Sequence, residues 1–293
     1  MSTQGYAGFL RMMGHTVRQS AGLFWFNAHP HVYMSFPFHR LVDPSSIIPR
    51  EILGRDGWLM RFPCDITEGR PSYRIVCDQR KYDLADLSPK ARNQTRRGLE
   101  KCLVRPVSFD ELAKEGIRLN NETIVRQGRT VPRDFNTYWS RYYQTAGRSE
   151  GAESWGAFID GALAAYLIAF RMEECANILI VRSSTQHLKQ YPNNALLFTY
   201  THHTIRDPDV NEISIGLESV QYEMESLDHF KYGMGFRQVP VGQRIEVTFW
   251  LKSLLKGPLL KGMRRMSQVL SNKERFSKLA GMLQWYEEQP PLK

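Results

Sequence analysis

The chain has 293 residues, of which 42% are apolar and 12% aromatic, a composition that supports a buried core and excludes a disordered polymer. A formal net charge of +9 favours an anionic partner and leaves three open: a phosphate-bearing cofactor, nucleic acid or an acidic membrane surface. Cys64, Cys77, Cys102 and Cys175 lie far apart with no C-x-x-C pair, so no zinc ribbon or thioredoxin-like motif is written, and reduced structural thiols are expected. Residues 1–22 carry Arg11, His15 and Arg18 and no unbroken apolar run, which argues against a cleaved signal peptide. No uncharged apolar stretch approaches the roughly 20 residues that span a bilayer. The expectation is a cytoplasmic protein, soluble or peripheral at the inner membrane face.

In chain order, Phe9, Met12, Met13 and Val17 predict an amphipathic helix over 5–19. Leu-Phe-Trp-Phe and Val-Tyr-Met-Ser-Phe within 23–41 predict a pair of core strands closed by loops at His29-Pro30 and Asp43-Pro44; an exposed apolar surface is the alternative. Short strands are predicted at 58–63 and 73–77. Ser88 and Pro89 then read as the N-cap and first position of a basic helix over 90–102. Arg92 and Arg96 share one face of it and could bind a phosphate, or simply be solvated. Ser108 and Glu111 are spaced as a capping box for the next helix, and 135–143 reads as an aromatic-rich helix packing Tyr138, Trp139, Tyr142 and Tyr143 on a sheet.

The central stretch is 155–236. Strands over 155–168 and 176–183 turn at or near Asp160-Gly161 and at 172–175. A loop over 184–191 leads to a helix with Pro192 at its first position, followed by a strand at 212–216 and a second helix. A helix N-terminus after a strand offers unpaired N–H groups and a positive dipole end, which suit a pyrophosphate. Alternation predicts a final strand over 244–250. The tail over 251–284 reads as helical, broken at Gly257-Pro258, with Lys252, Lys256, Lys261, Arg264 and Arg265 among leucines and methionines. Such a tail either lies on an anionic membrane surface or packs its apolar stripe on its own domain.

Gly-Ala-Phe-Ile-Asp-Gly-Ala-Leu-Ala-Ala-Tyr, Tyr-Pro-Asn-Asn-Ala-Leu-Leu-Phe, Ile-Ser-Ile-Gly-Leu-Glu-Ser and Leu-Asp-His-Phe-Lys-Tyr-Gly-Met-Gly-Phe follow one another in this order. With the basic helix Ser-Pro-Lys-Ala-Arg-Asn-Gln-Thr-Arg-Arg-Gly before them, they resemble the GNAT acyltransferase superfamily, and within it the branch related to the Fem-type peptidoglycan aminoacyltransferases. The resemblance covers roughly residues 87–241. It implies an α/β (α+β) fold: a mixed, mostly antiparallel sheet flanked by helices, with a partial GNAT-like region at 1–86, the acyltransferase domain at 87–248 and a basic helical tail at 249–293.

The activity it implies is transfer of an acetyl or aminoacyl group to an amine by direct attack in a ternary complex. The acceptor would be a small molecule or a cell-wall precursor, and the donor acetyl-CoA, another acyl-CoA or an aminoacyl-tRNA. One departure is plain: the usual cofactor loop, R/Q-x-x-G-x-G/A, has no counterpart in Ser-Ser-Thr-Gln-His-Leu-Lys-Gln-Tyr-Pro-Asn-Asn after Arg182. The missing glycines put acetyl-CoA in question. The cofactor-binding candidates are Arg182, Ser183, Ser184, His187, Asn193, Asn194 and Lys231. Glu218 is the candidate base or amine ligand, Lys231 the oxyanion or phosphate ligand, and Tyr232 a candidate acid for the leaving group. No metal is expected, since the neighbours His202 and His203 cannot share a helical face and His187 completes no site. The contrasting class is a non-catalytic protein that binds RNA or an anionic membrane through the basic helix and tail.

Overall fold

The computed structural model describes residues 3–219, 225–254 and 274–291. In chain order they form α1 (Gln4–Met12), β1 (Val17–Ser20), β2 (Leu23–His29), β3 (Val32–Phe36), α2 (Pro49–Leu53), β4 (Leu59–Cys64), β5 (Arg70–Cys77) and α3 (Pro89–Lys101). Then come β6 (Leu103–Pro106), α4 (Phe109–Arg126), α5 (Phe135–Ala146), β7 (Ala152–Ile159), β8 (Ala162–Met172), β9 (Cys175–Ser183) and α6 (Pro192–Thr204). The chain ends in β10 (Glu212–Leu217), α7 (Glu225–Gly233), β11 (Arg237–Val247), α8 (Phe249–Leu254) and α9 (Glu274–Glu288). Contacts divide the chain into two units.

One unit comprises Met1–Met13, Ile75–Gly216 and Asp228–Arg237. Its strands lie in the order β10-β9-β8-β7-β6, antiparallel except for the β9/β10 pair. Asp160 and Gly161, with φ of 51° and 82°, close the β7–β8 hairpin in a left-handed two-residue turn. Residues 163–170 of β8 are buried whichever way they point, and both α4 and α6 pack on β8 and β9, so helices cover both faces. That is why β8 reads as a continuous apolar run.

α3 starts as its sequence predicts, with Ser88 Oγ accepting the Ala91 N–H and Pro89 in the first turn. Its buried positions Ala91, Thr95 and Gly98 form one stripe packed on α6. A Cβ at Gly98 would lie 2.7 Å from the Tyr191 carbonyl oxygen, so only glycine lets the two helices approach this closely. α1 stops at Met12, where Gly14 turns left-handed at φ 93°, and Val17 begins a strand in register with Phe26, so the predicted helix over 5–19 is too long. Ser108 caps α4 through the Glu111 N–H, but the Glu111 carboxylate pairs with Arg105 rather than turning back to complete a box. In α5, Trp139, Tyr142 and Tyr143 are buried as expected, while Tyr138 stays 43% exposed.

The other unit comprises Gly14–Arg74, Leu217–Leu227 and Gln238–Lys293. Its strands lie in the order β1-β2-β3-β4-β11-β5, with β3 and β4 parallel and β4 and β11 antiparallel. Trp25, Tyr33, Met60 and Phe62 pack with Ile52 and Leu53 of α2 in its core. The predicted strand pairs 23–41, 58–63 and 73–77 are present as β2, β3, β4 and β5. The final strand is β11, which starts at Arg237, and Phe249 already begins α8; alternation misplaced it because residues 241–247 are all buried, polar ones included. Met282 and Trp285 of α9 pack on Leu59, Ile245 and Val247, so this part of the tail buries its apolar side on its own unit. Gly257-Pro258, Lys256, Lys261, Arg264 and Arg265 lie outside the described residues.

All four cysteines are buried and none forms a disulfide among the described residues, and burial pushes the Cys77 and Cys102 thiols up to about 11. Among the described residues no helix is long and apolar enough to cross a membrane.

Candidate functional site

The parallel pair β9/β10 is in register through Cys175 and Glu212, Ala176 and Ile213, and Asn177 and Ser214, and no further. β9 continues alongside β8 as far as Ser183, whereas β10 leaves, with Gly216 at φ 98°. Among the described residues, no strand pairs with β9 beyond Asn177 on that side. A strand edge of this kind is one to which an extended ligand can add.

β9 feeds the loop 184–191 and then α6. Tyr191 takes a left-handed conformation, φ 59° and ψ 41°, and Pro192 occupies the first helical position. The Tyr191 carbonyl accepts the N–H groups of Asn194 at 3.1 Å and Ala195 at 3.2 Å. Elsewhere in the loop, Ser184 N–H donates to the Ala164 carbonyl at 2.8 Å, and Tyr191 N–H to that of Leu188 at 3.1 Å. Thr185 N–H donates to the Glu122 carboxylate at 2.6 Å. Without glycines, this loop has closed largely upon itself. Burial pushes the Glu122 carboxyl up, but the Thr185 N–H and the Arg118 guanidinium outweigh it and hold the group below the usual carboxylate range.

Arg126 of α4 ties the loop down from the same side, donating to the Ser183 carbonyl at 3.2 Å and to Thr185 Oγ1 at 2.9 Å. Asn193 Nδ2 donates to Ser183 Oγ at 3.2 Å, while Asn193 Oδ1 is buried and has no partner among the described residues. Asn194 Nδ2 meets the Met234 sulfur at 3.4 Å, which anchors the start of α6 to the turn after α7.

Next to Ser183, Arg182 extends from β9 toward α5, its guanidinium 5.9 Å from the centre of the Trp139 ring. Beneath it lies a buried trio: Asn120 Nδ2 donates to Tyr143 Oη at 2.7 Å, the Tyr143 and Tyr166 hydroxyls are 2.9 Å apart, and Tyr166 Oη donates to Asn120 Oδ1. Gly116 makes room for it, since a Cβ there would lie 2.6 Å from Tyr143 Oη.

Of the residues singled out in the sequence, Arg182, Ser183, Ser184, Asn193 and Asn194 therefore converge where β9 meets α6. His187 sits in the intervening loop, its Nδ1 3.0 Å from Gln190 Oε1. Lys231 of α7 is 9% exposed and pairs with Asp228 at 2.8 Å; Tyr232 follows it on the same helix. Glu218 lies in the other unit, where its carboxylate accepts from Ser72 Oγ at 2.7 Å and Arg70 Nη1 at 3.2 Å. Arg92 spends its guanidinium on the carbonyls of Leu84, Ala85 and Leu87, at 2.9 to 3.0 Å, and Arg96 is exposed. Sequence reasoning gave no site role to Asn120, Glu122, Arg126 and Tyr166, and read Tyr143 only as a packing residue. The available signal was Asn120 and Thr123 in the buried stripe of α4, polar residues where the helical period calls for apolar ones.

No family model matches the chain, and no curated protein matches it. Solved structures do. The chain superposes on FemX with a TM-score of 0.62 at 13% identity, covering 87% of this chain and 94% of that one. The C-terminal DUF2156 domain of a putative lysylphosphatidylglycerol synthetase from Agrobacterium fabrum gives 0.57 at 12% identity, covering 86% and 92%. L-PGS from Bacillus licheniformis gives 0.53 at 13%, covering 87% and 95%. At such identities the likeness is one of fold alone: a mixed, mostly antiparallel sheet flanked by helices, as in FemX.

Proposed function

We propose that the chain is an N-acyltransferase that moves an aminoacyl group from an ester donor to an amine acceptor held in the same cleft. The observation that carries the reading is the parting of β9 from β10 beyond Asn177 and Ser214, beside the N-terminus of α6. Structural likeness to FemX and L-PGS supports it at the level of fold. The amine nitrogen attacks the ester carbonyl carbon, the carbon–oxygen bond to the donor breaks, and the amine proton passes to the leaving hydroxyl. No covalent protein intermediate is required. Holding both reactants in line and stabilising the oxyanion supply the acceleration.

Lys231 is the residue we assign to the oxyanion or to a donor phosphate. Its ammonium is nearly buried and held in place by Asp228. It occupies the Phe-Lys-Tyr-Gly position through which the resemblance to Fem-type enzymes assigns that role. Asn193, with Oδ1 lacking a partner, is the second donor ligand.

The loop favours an aminoacyl ester over acyl-CoA. Several loop N–H groups that would cradle a pyrophosphate are already bonded within the protein, and the Glu122 carboxylate sits on the Thr185 N–H, where it repels a second anion. The net charge of +9 suits an RNA-borne donor and a phosphate-bearing cofactor alike. The test is transfer of a radiolabelled amino acid from aminoacyl-tRNA to a panel of amines. Protein-dependent amide formation is the expected result. Label lost no faster than by spontaneous hydrolysis, with thiol released from acetyl-CoA in the same panel, would replace the donor; neither reaction would favour a non-catalytic binding protein.

A further inference from the structure

Among the described residues no carboxylate pairs with Arg182. Its side chain leaves β9 on the splayed half of that strand, five residues beyond the last pairing with β10 at Asn177, and is half-buried. Nη1 donates to the Val181 carbonyl at 2.9 Å, but Nε is buried with no acceptor among the described residues. The groups that bear on it most are the phenols of Tyr166, Tyr143 and Tyr142 and a second guanidinium, Arg129. Burial and that like charge both act to push the Arg182 guanidinium down, the direction of an uncompensated cation. Several other arginines of this unit have a carboxylate partner, and the half-buried Arg92 instead has three carbonyls. Arg171 has Glu153 and Asp207, Arg105 has Glu111, Arg118 has Glu122 and Arg237 has Asp78.

A half-buried guanidinium left without a carboxylate costs stability unless something else supplies the anion. Beneath it, the trio of Asn120, Tyr143 and Tyr166 satisfies itself and fixes the floor of the site. The Trp139 ring forms its wall. On this side of β9 stand α5 and α4, whereas the proposed donor ligand Asn193 belongs to the start of α6.

We infer that Arg182 is a specificity-determining residue that binds an oxyanion, carboxylate or phosphate, on the acceptor substrate. The acceptor is then an amine that also carries an acid, such as an amino acid, a peptide with a free carboxylate or an aminoalkyl phosphate, rather than a simple amine or polyamine. This assignment of Arg182 to the acceptor rests on the transferase reading above, but the binding it predicts does not require turnover.

The experiment is ligand-observed NMR titration of the full chain with β-alanine and phosphoethanolamine, using propylamine and ethanolamine as partners lacking the acid. The acids should bind at least about tenfold more tightly than their neutral counterparts, Arg182→Met should abolish that difference, and Arg182→Lys should retain part of it. The relative strength of β-alanine and phosphoethanolamine identifies the anion as carboxylate or phosphate. Thermal unfolding supplies the control for fold. Arg182→Met should leave the melting temperature unchanged or raised, because an unpaired charge is removed, and oxyanion probes should stabilise the wild type alone. Equal binding of the acids and the neutral amines, or a fall in melting temperature for Arg182→Met with oxyanion binding intact, would overturn the inference and leave the transferase proposal standing. Oxyanion binding as inferred, with no transfer from any donor, would do the reverse.

Discussion

Around Glu218, in one unit, donors and acceptors meet one another; around Arg182 and Asn193, in the other, they do not. Glu218 receives Ser72 and Arg70, its backbone carbonyl receives Arg61 Nη2 at 2.6 Å, and Gln243 bridges Arg61 at 2.7 Å and Ser72 at 2.6 Å. The Arg61 and Arg70 guanidinium planes also lie over the Trp285 ring, at 4.9 and 4.4 Å. Such a closed network rigidifies the elements it joins and leaves nothing for a ligand to satisfy. Among the described residues, the cluster at the end of β9 keeps a buried amide oxygen, of Asn193, and a buried guanidinium N–H, of Arg182, without hydrogen-bond partners. The complete network acts as a brace, and the incomplete cluster is the place we propose for substrate.

The contrast is sharpest in paired substitutions. Lys231→Ala should lower turnover by about 100-fold or more if the ammonium meets developing charge, whereas Glu218→Gln should leave it within about threefold. Steady-state rates on one donor and acceptor decide it, and a larger loss at Glu218 would restore that residue as the base. In thermal or urea unfolding the order reverses. Gln243→Ala, which leaves Arg61 and Ser72 without their bridge, should cost about 1–3 kcal/mol. Asn193→Ala should change stability little and raise the donor KM about tenfold, kcat being less affected.

Smaller effects probe the loop. Gly98→Ala forces a methyl against the Tyr191 carbonyl and should raise the donor KM a few-fold by shifting the entry to α6. Glu122 has a folded-state value below its unfolded one, so its contribution is present above the unfolded value, near pH 4.3, and is lost as pH falls through the folded value. Glu122→Gln should therefore flatten the acid limb of the stability profile below about pH 4.3, with hydrogen exchange at Thr185 as the local readout.

The hairpins β7–β8 and β8–β9, the Ser88 cap and the Pro192 start of α6 were legible because each depends on neighbours in sequence: a two-residue turn, a hydroxyl three residues upstream, a ring that fixes φ. β11 was misplaced because Gln243 and Arg244 are buried against partners remote in sequence, Ser72 and the Glu68 carbonyl, and Glu246 is buried in its ion pair with Arg244, which erases alternation. The trio Asn120, Tyr143 and Tyr166 was invisible for the same reason, being assembled from α4, α5 and β8. Absence of the glycines after Arg182 could be read directly. How the chain manages without them could not, since the answer lies in the left-handed Tyr191 and in Glu122, a residue 63 positions from the N–H it accepts.

The parted strands β9 and β10 form the proposed site for an aminoacyl ester, and a crystal structure with a non-hydrolysable 3′-aminoacylamido adenosine is the direct test. The aminoacyl group is expected along the edge of β9 beyond Asn177, with Asn193 Oδ1 bonded to the ligand. A cleft that stays empty under saturating ligand, or one filled instead by CoA with its pyrophosphate at the N-terminus of α6, would contradict it.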